Sequence, residues 1–195
     1  VTIEQQVDTP RKRSRRDEIL QIAVGLFATR GYHGVSMDDI GKEAGVTGPA
    51  LYHHFAGKDA MLVAALKPVS EGLLSGGRER AEAHQGEPTA ALEALVDFHV
   101  EFALANPAVI ALHLHELDRL PEEPRREIRR LQRRYVEEWV SVLTAVRSEL
   151  TDGEARVLAH AVFGLMNSTP FLAGEVDRDR RAVLLRAAAL SALSA

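Results

Sequence analysis

The stretch Ser36–Phe55, SMDDIGKEAGVTGPALYHHF, constrains this chain more than any other. It prescribes two short helices joined by a tight turn. Ser36 is placed to N-cap the first, its hydroxyl accepting a backbone N–H that a helix start leaves unpaired. Ile40 and Ala44 follow four apart on one face. Gly45 ends the helix where a left-handed backbone is needed and a Cβ is penalised. Val46 packs under the turn. Thr47 is the next cap, and Pro49 falls in the first turn, where its missing N–H is not needed. Leu51 and Phe55 bury the second helix, which leaves Gly48, Ala50, Tyr52 and His53 outward. Small residues at Ala44 and Gly45 let the two helices approach. This is a helix-turn-helix arrangement, whose second helix fits a DNA major groove.

Helical periodicity also runs through the remainder, giving an all-α chain of about nine helices. A helix from about Arg16 to Thr29 precedes the motif. Another opens at Lys58 with Met61, Leu62, Ala65, Leu66 and Val69 at helical spacing. Pro68 should kink or tighten it, and it fades at Ser75-Gly76-Gly77 or runs raggedly toward His84. Further helices are expected from about Thr89 to Ala105 and from Pro107 to about Leu120. The most regular follows, its stripe Ile128, Leu131, Tyr135, Trp139, Val142 and Val146 stepping by three or four. The opposite face carries an arginine ladder between Arg125 and Arg134. An eighth helix spans about Asp152 to Leu172, interrupted near Pro170, and a ninth runs from about Arg180 to the end. Between Ala182 and Ala195 its only charge is Arg186. Such a helix asks to be buried on more than one side. With Gly164 on the eighth helix, it implies a homodimer through helices eight and nine.

Composition narrows the function classes. There is no cysteine, which excludes disulfides, a thiolate nucleophile and Cys-type zinc sites. His99, His113, His115 and Glu116 lack a diagnostic metal spacing, so no metal and no cofactor are expected. No nucleophile–base pair, phosphate-cradling glycine loop or paired carboxylates stands out, so an enzyme is not expected. No apolar run reaches the roughly 18 residues of a membrane span. The N-terminus is polar and then basic rather than a secretory leader, and a cytoplasmic location is expected. Net charge is −4. Residues 1–60 carry as many basic as acidic side chains, so the whole imbalance lies beyond them. Within that first part Arg11, Lys12, Arg13, Arg15 and Arg16 form a run that would attract phosphates.

The series Ala44-Gly45-Val46-Thr47, then Leu51-Tyr52-His53-His54-Phe55, then Lys58 and Asp59, resembles the TetR family of bacterial transcriptional regulators. The preceding Ile19, Ala23, Leu26, Phe27, Gly31 and Tyr32 fit as well. The match covers about Arg16 to Leu66; beyond it only the all-helical architecture is similar. The resemblance implies a disordered basic arm over 1–15, a three-helix DNA-binding head over 16–60, and a ligand-binding and dimerisation bundle over 61–195. It implies a repressor that binds double-stranded DNA at an inverted repeat, the two recognition helices standing about 34–36 Å apart. The DNA-binding candidates are Arg16, Ser36, Thr47, Gly48, Pro49, Ala50, Tyr52, His53 and Lys58. Tyr52, Lys58 and Thr47 would grip phosphates; base discrimination would fall to Gly48, Pro49, Ala50 and His53.

The same resemblance implies a small-molecule effector in the bundle that lowers DNA affinity, with the fourth helix as the lever. Its expected lining is Leu66, Phe98, Phe102, Tyr135, Trp139 and Phe163, with Leu114. Three polar residues on apolar faces, His99, His113 and Asn167, join them. The apolar stripe and the lack of a charged clamp favour a hydrophobic or amphiphilic ligand, including a fatty acid or acyl-CoA. Control of drug efflux or of an antibiotic pathway, and a ligand-independent DNA-binding protein, are the alternatives.

Overall fold

In the computed structural model, described for residues 14–172, 174 and 176–194, those residues form nine α-helices and two 3₁₀ turns, and no strand. The helices are α1 (Arg15–Arg30), α2 (Met37–Ala44), α3 (Gly48–His54), α4 (Lys58–Ala83), α5 (Pro88–Ala105), α6 (Pro107–His115), α7 (Glu122–Val146), α8 (Asp152–Met166) and α9 (Arg178–Ser194). The 3₁₀ turns, Leu117–Arg119 and Thr169–Phe171, follow α6 and α8. Most of the expected basic arm, including Arg11, Lys12 and Arg13, lies outside the described residues. Ser14 and Arg15, assigned to that arm, belong to α1: Ser14 caps it and Arg15 is its first residue.

Three helices start with the same device. Ser14 with Asp17, Ser36 with Asp39, and Thr151 with Glu154 form reciprocal capping boxes. Each satisfies two N–H groups that the helix start leaves open. In each box the hydroxyl and backbone amide hold the acid's carboxyl below its usual range.

Two apolar clusters organise the molecule. The first joins Ile19, Phe27, Ile40 and Leu51 to Met61, Leu62 and Leu66 of α4. It also takes in Val109 and Leu112 of α6, Leu120, and Ile128 of α7. The boundary expected after residue 60 is therefore not a seam. α4 runs straight across it, and α6 contributes to the core of the head. The second cluster packs Leu95, Val96, Trp139, Val140, Leu143, Ala159 and Val162 between α5, α7 and α8, with Ala189 and Leu193 of α9 closing it.

α4 does not fade at Gly76-Gly77. It continues to Ala83 because those glycines receive rings from neighbouring helices. A Cβ at Gly76 would stand 2.4 Å from Phe98 Cζ, and one at Gly77 2.6 Å from Tyr135 Cε2. Pro68 is accommodated inside the same helix. α6 is shorter than expected, ending at His115 rather than near Leu120, and α8 ends at Met166 rather than Leu172. No single helix among the described residues is long and apolar enough to cross a membrane; α5 and α6 are so only when taken together, and they meet at 92°.

Candidate functional site

The first site is the outer face of α2 and α3. Gly45 adopts the left-handed conformation at φ 63°, and the Val46 N–H donates to Gly41 O at 2.9 Å, which closes the turn. The close approach of the two helices falls on Gly41 rather than on Gly45, while Ala44 is buried in the head cluster. A Cβ there would lie 3.3 Å from Val46 O and 3.7 Å from Leu51 Cδ2, whereas one at Gly45 would meet nothing within 4 Å. Leu51 and Phe55 anchor α3 in the head core. Thr47, Gly48, Pro49, Ala50, Tyr52 and His53 are all exposed, Tyr52 by 56%. Thr47 occupies the N-cap position but its side chain makes no capping bond, so its hydroxyl is not engaged there. Ser36 is exposed and its hydroxyl bonds the Asp39 carboxylate at 2.5 Å.

Arg16 lies on the same edge, its guanidinium 4.5 Å above the Phe55 ring, which ties the start of α1 to the end of α3. Arg15 reaches the Ala44 carbonyl at the end of α2. Lys58 is placed differently from expectation. Its ammonium donates to Tyr32 O and Val35 O, both at 2.7 Å, and stands 4.4 Å above the Tyr32 ring. The Tyr32 hydroxyl bonds Asp59. Burial, reinforced by that carboxylate, pushes the phenol well above its usual range. Lys58 is thus a clasp between the α1–α2 loop and the start of α4, and the two carbonyl bonds use two of the three N–H donors of its ammonium.

The second site is a cavity of about 300 Å³ between α4, α5, α6, α7 and α8. His99, Phe102, His113, Tyr135, Phe163, Asn167 and Leu114 line it as expected. Leu66, Phe98 and Trp139 do not. Leu66 is fully buried in the head cluster. Phe98 faces Gly76 and lies under the Arg80 guanidinium at 4.0 Å. Trp139 is fully buried behind the cavity wall, 5.0 Å from the Phe163 ring centroid. Ser70, Gln132 and His160 line the cavity without having been anticipated. Gln132 was legible: it follows Ile128 by four and precedes Tyr135 by three, on the inward stripe of an otherwise charged segment.

Hydrogen bonds orient the imidazoles of His99 and His113 and set which ring nitrogen carries the proton. His99 Nε2 donates to Asn167 Oδ1 at 3.0 Å, and Nδ1 accepts the Tyr135 hydroxyl at 3.2 Å. His113 Nδ1 lies 3.0 Å from the Gln132 amide nitrogen, and its Nε2 is buried without a protein partner. Burial pushes both rings down to about 4, the Asn167 bond opposing this at His99. Both are neutral near pH 7. Burial likewise raises the Tyr135 phenol. Among the described residues, no Lys, Arg, Asp or Glu lines the cavity.

α6 belongs to both sites. Val109 and Leu112 enter the head cluster, while Ile110, His113 and Leu114 face the cavity. Glu116, directly after α6, accepts the Tyr32 N–H at 3.2 Å. A small cavity in an all-helical body, wired to a helix-turn-helix head, defines the class: a DNA-binding regulator with a C-terminal ligand-binding domain.

The comparisons place it within that class. The family model described as "Bacterial regulatory proteins, tetR family" matches residues 19–65, and that of a "Tetracyclin repressor-like, C-terminal domain" matches 85–171. The chain is 34% identical over 140 residues to the HTH-type transcriptional repressor KstR2 of Rhodococcus jostii (strain RHA1), covering 71% of this chain and 68% of that protein. A TetR-family transcriptional regulator from Bordetella parapertussis 12822 superposes with TM-score 0.81 at 26% identity, covering 92% of this chain and 95% of the other. The ketosteroid transcriptional regulator KstR2 of Mycobacterium tuberculosis has the same fold, with TM-score 0.81 at 24% identity over 93% and 95% of the two chains. The chain belongs to the TetR family of bacterial transcriptional regulators.

Proposed function

We propose that the chain is a ligand-responsive repressor that binds inverted-repeat DNA as a homodimer and leaves it when an apolar or amphiphilic small molecule enters the cavity. The observation that carries this reading is the double role of α6, which lines the cavity on one side and completes the head core on the other. A ligand that prefers one placement of α6 shifts the head with it. In this reading α6 acts beside α4, the lever expected from the sequence. Repression rather than activation follows the similarity to a relative named as a repressor. As a chromosome-binding regulator it would act in the cytoplasm.

The dimer rests on α8 and α9. Within one chain α9 buries only Ala189 and Leu193, while Val183 and Leu184 are about half exposed. Val157 of α8 is 68% exposed. A groove between Leu165, Leu172, Val176 and Leu184 adds to that apolar surface. Arg186, the only charge on the last part of α9, is tied to Asp97 and Glu93 at 2.6 and 2.7 Å, so it does not oppose an apolar interface. Gly164 is exposed with open space at its Cβ, consistent with a close-packed partner. The test is selection from random duplex DNA. The reading expects enrichment of two-fold symmetric sites; a single asymmetric half-site, or no enrichment, would refute it.

A further inference from the structure

The chemistry of the cavity wall narrows what fills it. An ionised carboxylate or phosphate buried beside His99 and His113 would meet no Lys or Arg among the lining residues, and both of those imidazoles are neutral. Burying an unpaired ion is strongly unfavourable. Apart from Ser70, Gln132, Asn167, the Tyr135 hydroxyl and three histidines, the wall is aromatic and aliphatic.

Its polar groups are not equivalent. The Ser70 hydroxyl donates to Leu66 O at 3.0 Å, and the Tyr135 hydroxyl is engaged with His99. The His99 Nε2–H is engaged with Asn167. His113 differs. With the Gln132 amide nitrogen donating to Nδ1, a neutral ring carries its proton on Nε2. That N–H is buried and lacks a protein acceptor. An unsatisfied buried donor costs about 1–3 kcal/mol, so a ligand that satisfies it recovers that cost on binding.

We propose that the effector buries an uncharged, mainly hydrocarbon body in this cavity and presents a carbonyl oxygen to the His113 Nε2–H. This rests on the reading of the cavity as the effector site. The carbonyl has two possible sources. One is a free ketone or ester. The other is an acyl thioester whose charged carrier stays outside the wall. A free fatty acid, ionised near pH 7, is disfavoured.

The test uses the full-length protein and direct binding, read by the fluorescence of Trp139, the only tryptophan in the chain and one ring removed from the cavity. The probes are decan-2-one, decane, decanoate and decanoyl-CoA at pH 7.5, with wild type and His113→Leu. A hydrogen bond of ordinary strength predicts that His113→Leu lowers the decan-2-one to decane affinity ratio by about five- to tenfold. Decane itself should bind the variant as well as the wild type or better. The variant removes an unsatisfied polar group, and a thermal melt checks that it folds. His113-dependent binding of decan-2-one assigns the free carbonyl; the same dependence for decanoyl-CoA alone assigns the thioester. Either outcome upholds the proposal. An unchanged ratio, decanoate binding as tightly as the carbonyl probes, or no binding by either carbonyl probe overturns it. His113-dependent binding that leaves DNA affinity unchanged would instead refute the effector role and leave the recognition chemistry standing.

Discussion

Replacing Gly77 with alanine sets two opposed effects against each other. In an exposed helix interior Gly→Ala stabilises by about 1 kcal/mol, through propensity alone. At Gly77 the new methyl would lie 2.6 Å from Tyr135 Cε2 and 3.1 Å from Cδ2, inside normal contact. Tyr135 cannot swing aside freely, because it is stacked on His99 and Phe163 and its hydroxyl bonds His99. Overpacking of this kind costs about 1–3 kcal/mol. Gly72 on the same helix supplies the control, since a Cβ there meets nothing within 4 Å. Gly72→Ala should raise stability, and Gly77→Ala should fall below it by about 1–3 kcal/mol. At roughly 2–4 °C per kcal/mol for a chain of this size, a 2 kcal/mol gap separates the two melting temperatures by about 4–8 °C. Differential scanning calorimetry of the two variants reads it. A Gly77→Ala protein that melts with or above Gly72→Ala would show that the ring does not need the bare backbone, and the explanation of the unbroken α4 would fail.

Other expectations follow from the same contacts. His99 and His113 have folded-state pKa values lowered to about 4 from 6.5. The unfolded chain therefore binds more protons between those values, and stability is complete above about pH 6.5 and lost as pH falls toward 4. Near pH 5 the loss is roughly 2 kcal/mol per ring, and His113→Leu should remove about half of it in urea titrations compared at two pH values. Lys58→Met should cost about 2 kcal/mol of folding stability by removing a charge-assisted clasp, seen as a lower denaturation midpoint without DNA; an unchanged midpoint would deny the clasp any weight in folding. His53→Ala should relax sequence preference with little change on random duplex, whereas equal losses on both would deny it a base contact. Leu184→Glu should convert the dimer to a monomer in sedimentation experiments, and a dimer that survives it would move the interface away from α9.

The head was legible because its signals are local. Ser36 and Gly45 act within a turn of themselves, and Pro49 suits the first turn of α3, so a single sequence shows where α2 stops and α3 starts. The reach of α4 past Gly76 and Gly77 stayed open for the opposite reason. Glycine marks a helix end when nothing else needs the space, but here it admits rings from α5 and α7, helices far along the chain. The cavity was legible in part. Periodicity showed that Phe98, Tyr135 and Trp139 avoid water, not which of them has a neighbour in front of it. Trp139 and Phe98 have one, and Tyr135 faces the gap. The polar residues His99, His113 and Asn167 were better guides, since a polar group on an apolar face needs a partner there. The Lys58 clasp was not legible because its two carbonyl partners, Tyr32 O and Val35 O, lie in a loop whose path the sequence does not reveal.

The account depends on α6 transmitting occupancy of the cavity to the spacing of two heads. The chain contains no cysteine, so Glu43→Cys, at an exposed position of α2, takes one spin label per protomer. Pulsed dipolar spectroscopy then measures the head-to-head distance with the selected DNA, with the His113-dependent ligand, and with neither. The account predicts a single narrow distance on DNA and a displaced distribution with ligand. No dipolar coupling, or one distribution common to the DNA-bound and ligand-bound proteins, would contradict it.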